Sequence, residues 1–221
     1  MPIKDNLHTI KSSLPENVTL VAVSKTKPVA NLMEAYNAGQ RVFGENKIQE
    51  MTEKWEQMPK DIAWHMIGHV QTNKVKYMAP YVSLIHGVDS LKLLKEINKQ
   101  AKKCNRVVNC LLQMHIAEEE TKFGMDTDEL EALINSDEFK SFKNVNVVGL
   151  MGMATFTDNQ EQVKKEFLHL KSLFDELNCK PATSNFEPQI LSMGMSGDYK
   201  IAVNCGSTMV RIGSSIFGSR K

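Results

Sequence analysis

No C-x-x-C pair joins the four cysteines, Cys104, Cys110, Cys179 and Cys205, and their spacing is irregular, so neither a zinc site nor a disulfide framework is indicated. The thiols read as reduced. No apolar run approaches the length of a membrane span. The first residues carry Lys4, Asp5 and His8 and lack the apolar stretch of a secretion signal, so cytoplasmic residence is the expectation. Charge of one sign is missing too. The balance of 27 Lys and Arg against 26 Asp and Glu leaves +1, a field too weak to make nucleic acid or an anionic membrane the main partner. Nor does a low-complexity tract, a fixed-period repeat or a Gly/Ser-rich linker divide the 221 residues. What is there is an ordinary soluble composition, 42% apolar and 24% charged, with a small neutral or anionic molecule as the open ligand class. The acidic run Glu118 to Glu120 reads as a solvated loop.

Short apolar runs alternate with longer segments of helical period along the whole chain, the pattern of βα units around a parallel sheet. Strands are expected at 18–24, 40–43, 62–67, 83–87, 107–115, 145–151, 189–193 and 208–212. Eight strands without a linker fit one (β/α)8 TIM barrel over residues 1–221, though the short second and eighth strands leave a doubly wound sheet open. Between them, Pro28 suits a first helical position; Val29, Leu32, Met33 and Tyr36 then share a face, and Gly39 stands where a helix would stop. Thr157 and Gln160 read as a capping box ahead of the stripe Val163, Phe167, Leu170, Phe174 and Leu177. Ile48, Met51, Trp55 and Met58 form another stripe, read as core packing rather than a cofactor box.

Chemistry in a barrel gathers at the C-terminal ends of the strands. Lys25 ends the first run on the face of Val21 and Val23, which aims its ammonium at the barrel mouth. Most lysines so placed simply reach for water; a desolvated one could attack an aldehyde and form an imine. Met193-Gly-Met-Ser-Gly-Asp198 and Gly213-Ser214-Ser215 follow the seventh and eighth strands, where barrels often bind phosphate. Ser196 is a candidate helix cap there, and each segment is also an ordinary strand-to-helix turn. Arg211 lies among apolar neighbours in the eighth strand and requires a partner, either a carboxylate or the ring nitrogen of a ligand. His65 and His69 are four apart but lack an H-E-x-x-H pattern, so no metal is expected. His65 could face the mouth or be a hydrogen-bonded core histidine, and Asn46 could face the mouth or cap the helix after the second strand.

Five blocks in order carry a family resemblance: Val-Ala-Val-Ser-Lys-Thr-Lys-Pro (21–28), Phe-Gly-Glu-Asn (43–46), Trp-His-Met-Ile-Gly (64–68) with Gln71, Asn73 and Lys74, Leu-Ser-Met-Gly-Met-Ser (191–196) and Gly-Ser-Thr-Met-Val-Arg-Ile-Gly (206–213). From about Val18 onward the chain resembles the pyridoxal phosphate homeostasis proteins. The resemblance implies a fold-type III barrel like the N-terminal domain of alanine racemase, with pyridoxal 5′-phosphate (PLP) as an internal aldimine on Lys25. It also implies Arg211 near the pyridine nitrogen and Ser196, Gly213 and Ser214 around the phosphate, with Asn46, His65 and Ser192 as further pocket residues. His69 stands where relatives often have another residue. Alanine racemase takes a second acid/base residue from a separate β-domain, and nothing in this chain is left over to supply one. The resemblance therefore implies a PLP carrier, monomeric, with PLP-dependent apoenzymes as recipients and without established turnover. An amino-acid racemase or lyase using the same Lys25 is the alternative, and a barrel holding some other phosphorylated metabolite is a third reading.

Overall fold

The computed structural model describes residues 2–118, 123–180 and 185–218. Eight parallel strands pair in sequence order: β1 (Thr19–Val23), β2 (Val42–Glu45), β3 (Ala63–Met66), β4 (Leu84–Val88), β5 (Val108–Met114), β6 (Val145–Gly152), β7 (Phe186–Ser192) and β8 (Met209–Ile212). Strand β8 pairs back onto β1, with Val21 opposite Arg211, so the sheet closes and the doubly wound alternative falls. Helix α1 (Ile3–Ser12) precedes the barrel; α2 (Val29–Asn37), α3 (Ile48–Gln57), α4 (Val75–Met78), α5 (Leu91–Lys103), α6 (Thr127–Asn135), α7 (Asp137–Lys140), α8 (Gln160–Asn178), α9 (Tyr199–Asn204) and α10 (Ser214–Phe217) follow. Among the described residues no helix is long and apolar enough to cross a membrane.

Alternation along the strands builds two separate cores. Val21, Leu84, Leu111, Met151 and Met209 point inward and fill the barrel, with Val42, Ile67, Val148, Met153 and Ile190 against them. The opposite faces meet the helices in a larger shell that holds Leu32, Phe43, Met51, Phe167, Leu170 and Phe174. The α3 stripe is thus structural, and Trp55 stacks on Tyr81 at 4.4 Å between ring centres.

Where local patterns and structure differ, a contact distant in sequence is responsible. Strand β2 starts at Val42: the Gln40 backbone N–H donates to the Ala35 carbonyl at the end of α2, and its side-chain amide donates to the carbonyls of Leu20 and Val42. Strand β7 starts at Phe186 and contains Pro188; the ladder with β6 breaks register between Val147 and Gly149, which accommodates a residue without an N–H. A Cβ on Gly149 would lie 1.8 Å from the Ile190 carbonyl oxygen, so only glycine permits this approach. Helix α8 is capped by Asn159, while the Thr157 hydroxyl accepts from Asn159 N. Of the acidic run, Glu118 is exposed and pairs with Lys165 at 3.4 Å; Glu119 and Glu120 lie outside the described residues.

Candidate functional site at the barrel mouth

All the singled-out residues stand at the C-terminal ends of strands. Lys25 follows β1, Asn46 follows β2, His65 lies in β3, Ser192 ends β7, Ser196 is in the next loop, Arg211 lies in β8, and Gly213 and Ser214 follow it. Alternation runs on past β1: the Ser24 hydroxyl reaches outward to Glu45 at 2.6 Å, which leaves half-buried Lys25 on the inward face of Val21. A Cβ on Gly213 would meet the Val23 carbonyl oxygen at 3.1 Å, so a bare backbone there lets the end of β8 close against the strand that carries Lys25.

Arg211 is the electrostatic centre. Only 4% exposed, it forms no ion pair among the described residues. Its acceptors are neutral: one terminal nitrogen donates to the Ser192 carbonyl at 2.8 Å and the Ser192 hydroxyl at 2.6 Å, the other to the Gly152 carbonyl at 3.0 Å. Burial lowers its pKa to about 10, partly opposed by the charge of Asp198, so it remains a cation at neutral pH. Among the described residues no carboxylate is bonded to Arg211, and Asp198 acts on it only through its charge, so a cation faces the space an anionic or electron-rich ligand could take.

From Arg211 a polar chain crosses the barrel. Ser192 Oγ lies 3.1 Å from His86 Nδ1, and His86 Nε2 lies 3.1 Å from His65 Nδ1. A guanidinium can only donate, so Ser192 Oγ accepts from it and has a hydroxyl proton to direct elsewhere. With that proton directed to His86 Nδ1, His86 carries its own on Nε2 and donates to His65 Nδ1, and the His65 proton sits on Nε2. Burial holds His65 to about 3, and burial with the nearby His65 and Arg211 holds His86 well below the ordinary value. Both rings are neutral, and His65 offers an N–H. His86 was not singled out from the sequence, although Leu84-Ile-His-Gly-Val88 in a strand sets its side chain on the inward face with Leu84.

The phosphate candidates also converge. Gly213 N and Ser215 N donate to Ser196 Oγ at 3.3 and 3.5 Å, long contacts that gather two backbone N–H groups at one point. Ser196 is therefore not a helix cap; α9 begins after Asp198, which accepts from Met195 N. Asn46 likewise precedes Lys47, the residue that opens α3, and does not cap it. The two histidines four apart are engaged separately: His69 stacks on Phe123 and lies 3.4 Å from Asp89, while His65 belongs to the polar chain.

Known proteins are similar to this chain in sequence and fold. The sequence profile of the alanine racemase N-terminal domain matches residues 2–221. A pyridoxal phosphate homeostasis protein of Aquifex aeolicus is 41% identical over 91% of this chain and 87% of its own length. One from Homo sapiens is 42% identical over 91% of this chain and 76% of its own. The solved structure of PipY from Synechococcus elongatus with PLP bound superposes with a TM-score of 0.88 at 33% identity, covering 98% of this chain and all of that one. Alanine racemase from E. faecalis, at 16% identity and a TM-score of 0.76, covers 99% of this chain and 58% of its own and shares the fold.

Proposed function

The chain belongs to the alanine racemase N-terminal domain family and, within it, to the pyridoxal phosphate homeostasis proteins, and on that footing we propose that it binds PLP covalently through Lys25 and serves PLP homeostasis as a carrier. The observation that carries this reading is Arg211, a buried cation held only by neutral acceptors beside the strand that bears Lys25. The donor set fits the group. Lys25 supplies a primary amine, Gly213 N and Ser215 N supply donors for a phosphate in company with Ser196 and Ser214, and Arg211 supplies a donor for a ring nitrogen. When bound, PLP supplies an aldehyde that condenses with a primary amine with loss of water.

The chain's own residues favour holding over turnover. Arg211 keeps its proton and can only donate, so it cannot protonate a ring nitrogen, and the ring stays a weak electron sink. Ser192 fixes the guanidinium, and His86 fixes the ring of His65, whose N–H is a neutral donor and a poor base. Asn46 completes the pocket wall after β2. Such a site would keep a reactive aldehyde from other amines and release it to PLP-dependent apoenzymes.

The test is the absorption spectrum with added PLP, before and after borohydride, for wild type and Lys25→Ala. An imine band that borohydride fixes on Lys25, absent in the variant, is the expected result; no band in the wild type overturns the reading. Exchange of the α-proton of added amino acids in deuterated water, at enzyme-like rates and dependent on Lys25, would replace the carrier with a racemase or lyase.

A further inference from the structure

Behind Lys25, on the outer face of the barrel, lies a group of charges the pocket does not use. Lys54 of α3 is nearly buried, and its ammonium donates to Glu45 Oε1 at 2.7 Å, Glu50 Oε1 at 2.7 Å and the Ser24 carbonyl at 2.8 Å. Glu45 is fully buried at the end of β2 and accepts from the Ser24 hydroxyl as well. Glu50 Oε1 accepts from Thr26 N at 2.6 Å. Both peptide groups flanking Lys25 are therefore gripped, one through Ser24 and one through Thr26. Thr26 takes a left-handed backbone, φ 63°, that a β-branched residue rarely adopts.

This is a costly way merely to attach a helix. A buried ion pair adds little net stability compared with apolar packing, and here Glu45 Oε2 is left buried without a partner. Burial also pushes the Glu45 carboxyl up despite Lys54 beside it. The gain is geometric: two carboxylates and one ammonium hold three consecutive residues in a conformation they would not adopt alone, and the middle one is Lys25.

Resting on the PLP reading above, we propose that Lys54, with Glu45 and Glu50, is a positioning residue that holds the Ser24–Thr26 backbone so that the Lys25 amine meets the aldehyde. The clamp acts on the covalent bond and not on phosphate or ring recognition. Binding of PLP and of pyridoxine 5′-phosphate, which has the same phosphate and ring but an alcohol in place of the aldehyde, is therefore compared in wild type, Lys54→Met and Glu50→Ala. Lys54→Met is expected to weaken PLP binding and borohydride fixation about tenfold, with pyridoxine phosphate affinity changed less than about twofold, the signature of lost preorganisation. Glu50→Ala removes a more accessible carboxylate and is expected to act in the same direction by about threefold; it decides the matter should Lys54→Met fail to fold. Parallel loss of both ligands would make the group a plain structural support, and unchanged PLP binding in both variants would remove its role; either overturns the inference. Failure of wild type to fix PLP would instead overturn the carrier reading itself.

Discussion

Ser192→Ala removes one oxygen at the junction of the polar chain across the barrel. In the native protein that oxygen accepts from Arg211 at 2.6 Å and donates to His86 Nδ1 at 3.1 Å. The guanidinium keeps the Ser192 and Gly152 carbonyls, so it is weakened rather than stranded. His86 Nδ1 has no second donor, and its ring is fully buried. A hydrogen bond to a charged donor contributes about 1.5–3 kcal/mol and a buried acceptor left alone costs about 1–3 kcal/mol, so with partial relaxation the expected destabilisation is about 2–4 kcal/mol. Denaturant melts of the ligand-free protein measure it. Pairing the change with His86→Phe closes a double-mutant cycle, with a coupling of about 1–2 kcal/mol expected between residues that share a bond. Nitrogen-15 NMR of the histidines should show His65 and His86 both carrying the proton on Nε2. Additive melts, or a proton on Nδ1 of His65, would refute the direction assigned to the chain.

Three further outcomes follow from the same structure. Gly149→Ala would press a methyl to 1.8 Å from the Ile190 carbonyl oxygen and should cost more than about 3 kcal/mol or prevent soluble expression; a normal melting temperature would contradict the approach of β6 to β7. Because His65 and His86 titrate below their unfolded value, their contribution is complete above about pH 6.5 and falls as pH drops below it, that of His65 being lost toward about 3. Each should add up to about 1.4 kcal/mol per pH unit to the slope of stability in that window, read from melts of wild type against a His65→Asn, His86→Phe pair. Burial alone would raise the Glu166 carboxyl, but Thr155 N, the Thr155 hydroxyl and Glu118 N donate to it and together hold it low. Glu166→Gln should therefore cost about 1–3 kcal/mol at pH 7 and progressively less below about pH 4, measured by the same melts.

Much of the fold was legible because it depends on period. The alternation of short apolar runs with helical segments placed all eight strands, and period two aimed Lys25 at the mouth; Val163, Phe167, Leu170, Phe174 and Leu177 are all buried as their spacing requires. What local patterns could not show is competition from distant partners. The Ser196 hydroxyl suits a helix start, yet N–H groups 17 and 19 residues further on take it. His86 has an ordinary strand context, and only the closed barrel brings it to Ser192, 106 residues away. Nothing in its local pattern marks Lys54, whose partners reach it only when β2 and the turn after β1 pack against α3.

Closure of β8 onto β1 means that the candidate pocket joins segments far apart in sequence, with Lys25 after the first strand and residues 192–215 around the last. Without β8 and the loop after β7, the barrel would keep Lys25, Asn46 and His65 but lack Arg211, Ser196 and the Gly213–Ser215 backbone. A ligand that recognises only the closed barrel would add to its stability by mass action, so filling the pocket and holding the barrel shut would be one equilibrium.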